Sequence, residues 1–113
     1  MKKIYIVSSL VILLSACASV KLMNPTATDL ERVQTKFPGY TLTELSHGKQ
    51  LYEQNCGKCH GLKNPSSQGE AQWKTIVPRM VKKVNKREAK VDTKQEELIL
   101  KYLITMSSVS GKK

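Results

Sequence analysis

The five residues Cys56-Gly57-Lys58-Cys59-His60 carry the densest chemistry in the chain. Two cysteines three positions apart fall on one helical turn, where both sulfurs reach the two vinyl groups of a single haem. The imidazole that follows them then points at the iron as its proximal ligand. The run therefore predicts one covalently bound haem c, with Cys56 and Cys59 as thioether residues and His60 on the iron. Two rival chemistries use the same residue types. A redox-active dithiol needs a βαβ setting, and nothing between residues 41 and 110 alternates like a strand. A zinc site needs four ligands, and the second histidine of the chain, His47, lies on a preceding helical stretch and is expected to face solvent.

A haem iron held by one histidine has a sixth position to fill, and methionine is the residue type to look for. Met23 falls in an N-terminal stretch with little apolar periodicity, and Met106 falls at the end of the last helix. Met80 shares an apolar stripe with Trp73, Ile76 and Val77, so it is the preferred ligand, with Met106 as the fallback. Buried packing is the competing role for Met80. Pro78 removes a backbone donor two residues before it and predicts that the helix ends or kinks there. Around the haem, the Pro65 carbonyl is a candidate acceptor for His60 Nδ1–H, which would fix the ring. The Trp73 indole is a candidate partner for a haem propionate. Core packing for Trp73 and an ordinary turn for Pro65 are the alternatives. Arg79 reads as an exposed helix residue or a propionate partner.

Three helices are needed to position these groups, and their starts are written in capping residues. Thr41-Leu42-Thr43-Glu44 is a capping box, with Tyr40 and Leu45 placed as a hydrophobic staple. Ser67-Gln68-Gly69-Glu70 and Thr93-Lys94-Gln95-Glu96 are two further candidates. After them, Trp73, Ile76, Val77, Met80 and Val84 form one helical stripe, and Ile99, Tyr102, Leu103 and Met106 form another. The fold class is all-α, in a domain spanning 41–113. About seventy residues make a marginal core by themselves, and a covalent haem would add apolar mass.

The N-terminus has its own logic. Met1-Lys2-Lys3 and an apolar run from Ile4 to Leu14 have the layout of a secretory leader, and the run is too short to span a bilayer. Leu14-Ser15-Ala16-Cys17 resembles the bacterial lipobox, which implies cleavage after residue 16 and lipidation of Cys17. An ordinary signal peptide with a chance cysteine is the alternative. The expected organisation is a leader at 1–16, a lipidated N-terminus and flexible tether at 17–40, and the helical domain beyond. With Cys17 lipidated, the three cysteines of the chain are all assigned and no disulfide is expected. Loss of Lys2 and Lys3 with the leader lowers the formal charge from +10 to +8. Lys82, Lys83, Lys86, Arg87 and Lys90, with Lys112 and Lys113 at the end, concentrate that charge late in the chain, which suits an acidic protein partner or an anionic lipid surface, with ordinary solvated surface lysines as the alternative. Nucleic acid is a poor match for an exported chain.

Gly48-x-x-Leu51-Tyr52-x-x-x-Cys56-x-x-Cys59-His60-Gly61-Leu62 resembles the start of a class I cytochrome c domain. Trp73-x-x-x-Val77-x-x-Met80 and Leu98-x-x-x-Tyr102-Leu103 are similar to the later helices of small bacterial monohaem cytochromes, and the likeness covers about residues 40–105. The resemblance implies a helical fold wrapped on one haem, with first and last helices crossing at Gly48 and with Tyr52 and Tyr102 packed there. It implies a methionine ligand in the interval that holds Met80; together with the lipobox, the expectation is an extracytoplasmic, membrane-tethered one-electron carrier, or the electron-accepting subunit of an oxidoreductase, rather than an enzyme in itself. A gas-binding sensor or small peroxidase with an open sixth position is the alternative, as is a lipoprotein whose haem is structural.

Overall fold

The computed structural model describes residues 22–87 and 90–108, with the side chains of residues 57–60 left outside that description. Among the described residues four α-helices follow one another: α1 (Ala27–Arg32), α2 (Leu42–His60), α3 (Glu70–Arg87) and α4 (Thr93–Ser107), with a 3-10 turn at Pro65–Ser67 between α2 and α3. The described residues contain no strand, and the chain is all-α.

Helix α2 starts as its capping box predicts. Thr41 Oγ1 accepts from the Glu44 N–H at 3.1 Å, and Glu44 Oε1 accepts from the Thr41 N–H at 3.2 Å. Tyr40 and Leu45 are both buried, as a staple requires. Helix α4 uses a box one residue earlier than the sequence reading placed it. Asp92, not Thr93, is the N-cap, and it pairs with Gln95. A carboxylate is the stronger cap because it also meets the positive end of the helix dipole. The candidate box at Ser67 does not form. Ser67 is spent in the 3-10 turn, where its hydroxyl donates to the Asn64 carbonyl at 2.6 Å, and α3 begins after Gly69.

The core lies where α4 meets both other long helices. Leu45, Leu51 and Tyr52 from α2, Trp73, Val77 and Val81 from α3, and Leu98, Ile99, Tyr102 and Leu103 from α4 are all buried in it. Gly48 sets the α2–α4 approach. A Cβ at this position would sit 2.3 Å from the Leu98 carbonyl oxygen and 2.9 Å from the Tyr102 Cβ, so only glycine admits the contact. Tyr52 then stacks at a tilt on Tyr102, 5.9 Å between centroids, and meets Trp73 edge-on at 6.4 Å.

Two expectations are corrected. Pro78 neither ends nor visibly divides α3, which runs continuously through it. Pro78 and Lys74, the residue whose carbonyl loses its intrahelical donor, are both exposed, while Trp73, Val77 and Val81 bury the opposite side. The tether expected at 17–40 is also too long, because residues 26–40 belong to the folded domain. Thr26 and Asp29 form a capping box for α1, and Val33 and Tyr40 are buried in the core. Phe37 and Tyr40 meet edge-to-face at 5.6 Å, and the Lys101 ammonium of α4 lies 5.3 Å and 5.5 Å from their ring centroids.

Candidate functional site

The C-x-x-C-H run occupies the last five residues of α2. At 3.6 residues per turn, Cys56 and Cys59 share one helical turn and His60 closes it. The Cys56 side chain is buried against the core. The side chains of Cys59 and His60, and all of Cys17, lie outside the described residues. Gly61 ends the helix at φ +64°, a left-handed angle that favours glycine and turns the chain sharply away from the run.

The segment after this turn is pinned from two sides. Tyr52 Oη donates to the Lys63 carbonyl at 2.7 Å and accepts from the Lys63 N–H at 3.0 Å. Burial raises the Tyr52 phenol to about 12, against the Lys63 backbone bond that favours its ionised form. From the other side, the Trp73 indole N–H donates to the Pro65 carbonyl at 2.9 Å, with both groups buried. Asn64 caps the 3-10 turn by accepting from the Ser66 N–H at 3.0 Å. The loop that follows His60 is thus fastened to α2 by a tyrosine and to α3 by a tryptophan.

The Trp73 indole N–H is engaged by Pro65, and Trp73 is buried in the core, where it positions the loop. The Pro65 carbonyl has Trp73 as its partner in this structure, a pairing that spacing alone did not indicate although both residues stood out. Arg79 and His47 are exposed. Met80 is half-buried on α3, packed against the core but not sealed in it. Met106 is buried on α4. Met23 is 66% exposed. The structure thus leaves Met80 the methionine least committed to packing among those on the three long helices.

A cavity of about 130 Å³ lies beside the pinned loop, lined by Leu22, Met23, Asn64, Pro65, Ser66, Tyr102 and Met106. Tyr102 Oη is buried without a hydrogen-bond partner, and burial pushes its ionisation well above the ordinary tyrosine range. Sequence reasoning assigned Tyr102 to the helix crossing, and it missed the part played by Lys63 and Asn64.

Two cysteines and a histidine share one terminal turn of a helix, a fixed loop follows, and a half-buried methionine stands on the next helix. These are the donor types that a c-type haem would use. No family model, curated protein or solved structure matches the chain.

Proposed function

We propose that this chain is a monohaem c-type cytochrome carried on a bacterial lipoprotein, serving as a tethered one-electron carrier between extracytoplasmic redox partners or as the electron-accepting subunit of an oxidoreductase. The observation that carries the reading is the placement of Cys56, Cys59 and His60 on the closing turn of α2, the same helix that meets α4 at Gly48. Cys56 and Cys59 would hold one haem c covalently, His60 would be its proximal iron ligand, and Met80 its second. When bound, the haem supplies a one-electron couple, and thioether ligation raises its potential. The protein's own part is to exclude water with Trp73, Val77 and the α4 core, and to hold the loop after His60 through Tyr52 and Trp73. Lipidation of Cys17 would anchor the domain to a bacterial membrane on its extracytoplasmic side.

The test is Met80→Ala in haem-loaded protein. The expected result is loss of the red-region charge-transfer band of ferric His/Met haem, together with readier carbon monoxide binding by the reduced protein. If wild type lacks the band and binds carbon monoxide readily, the open-site sensor or peroxidase reading replaces the electron carrier.

A further inference from the structure

The folded residues 26–40 have a geometric consequence that depends on the lipoprotein reading of Cys17. Leu22 and Met23 already lie against the domain, lining the cavity with Pro65 and Met106. Asn24 Oδ1 accepts from Lys49 Nζ at 3.1 Å. Only the stretch from Cys17 to Leu22 is then left to join lipid to protein. Five residues span at most about 18 Å when fully extended. A lipid anchor at Cys17 therefore draws one particular end of the domain to the bilayer.

That end has the right chemistry. Met23 is 66% exposed, the most exposed large apolar side chain among the described residues. Beside it lies the largely apolar cavity between Leu22 and Met106. Lys49, bonded to Asn24, and Lys63 lie near this end, but the run of exposed lysines is elsewhere. Lys82, Lys83 and Lys86 are exposed on the last turns of α3. Asn85 on those turns bonds both backbone groups of Val91, immediately before the α4 N-cap Asp92. Met106, by contrast, sits in the last turn of α4. A 15-residue helix is about 22 Å long. The apolar end and the cationic end thus stand at opposite ends of α4. A gap of that size exceeds the Debye length of about 8 Å at physiological ionic strength.

We infer that the end of the domain bearing Leu22 and Met23 rests on the lipid surface, with the Lys82–Lys86 end directed into the aqueous space. The inference commits to a bilayer as the occupant of this apolar end. It leaves the lysine end for a soluble acidic partner and gives the membrane no use for it.

The experiment uses the full haem-loaded lipoprotein, reduced, in vesicles of phosphatidylethanolamine and phosphatidylglycerol. A nitroxide is placed on Met23→Cys or on Lys86→Cys, both exposed positions, and its collisions with molecular oxygen and with a water-soluble nickel chelate are compared. The expected result is a severalfold higher oxygen-to-nickel ratio at 23 on vesicles than in detergent-solubilised protein diluted out of micelles, with no rise at 86. A rise at 86 without one at 23 overturns the orientation in favour of electrostatic lipid binding, and no rise at either position overturns surface contact. The mass of the same preparation reports lipid on Cys17 independently. A chain without lipid defeats the anchoring reading and this inference together, whereas a lipidated chain with position 23 in water defeats the inference alone.

Discussion

At the scale of single residues, Gly48 and Trp73 bear the most weight on the site. Gly48 is the point at which the helix carrying Cys56 touches α4. Gly48→Ala forces a methyl group into a space where the Leu98 carbonyl would lie 2.3 Å away. Overpacking of this kind costs about 1–3 kcal/mol. In a domain of this size each kcal/mol lowers the melting temperature by about 4–8 °C, which thermal unfolding of the haem-loaded protein will read. Trp73→Phe keeps an aromatic side chain but removes part of the indole together with its donor, leaving the buried Pro65 carbonyl without that bond. An expected loss of about 1–3 kcal/mol follows. The loop after His60 should also loosen, seen as faster amide exchange at Lys63 with little change elsewhere. Much of this was legible in advance. Trp73 and Tyr102 stand on apolar stripes of helical period, and the packing of Tyr52 and Tyr102 at a crossing on Gly48 is what the family resemblance implies. The indole's partner was not legible, because which carbonyl a buried N–H meets depends on how the loop at 61–69 folds back, and no local pattern encodes that.

At the scale of elements, the helices with long apolar stripes were readable and the short one was not. Helix α1 has six residues, too few to show a 3.6-residue period by themselves. Its signals were present all the same. Thr26 and Asp29 stand in capping-box positions, and Leu30, Val33, Phe37 and Tyr40 recur at helical intervals through the turns that follow. What made this stretch structured was tertiary: Lys101 against two rings, and an ion pair from Lys36 to Glu70 on α3. Acid should undo this element first. Burial disfavours the Asp29 charge, but the Thr26 N–H, the Arg32 side chain and the Thr26 hydroxyl together hold its carboxyl below the ordinary value of 3.8. Glu70 is lowered from 4.5, first by Lys36 and then by Lys74. Depressed carboxyl values give stability that is present above the unfolded values and is lost as pH falls through the lower folded ones. Amide protection at residues 27–40 should therefore fall on acidification below about pH 4, ahead of the α2–α4 core. Asp29→Asn should weaken that protection at neutral pH and flatten its pH dependence. Equal protection of 27–40 and of the core throughout the titration would contradict this order of events.

At the scale of the whole molecule, the full chain carries a formal charge of +10, and Lys82, Lys83 and Lys86 stand exposed together on the distal turns of α3. Electron exchange with an acidic partner should slow as ionic strength rises, since rim charges act chiefly on association rate. Lys82→Glu with Lys86→Glu should lower the low-salt rate and leave the haem spectrum unchanged; rates indifferent to both salt and substitution would remove the docking role. The helical class of the molecule was legible in its periodicity and caps. The reach of the domain into residues 26–40 was not, and it alters how close to a membrane such a domain would sit. All of these roles presuppose the haem. The most direct measurement is haem staining, with intact mass, of the protein exported by a host that has a cytochrome c maturation system. The expected result is one haem retained through denaturing electrophoresis by wild type and lost in the Cys56→Ser, Cys59→Ser double variant. A mature chain that emerges from such a host without covalent haem, its Cys56 and Cys59 unmodified, would contradict the proposal outright.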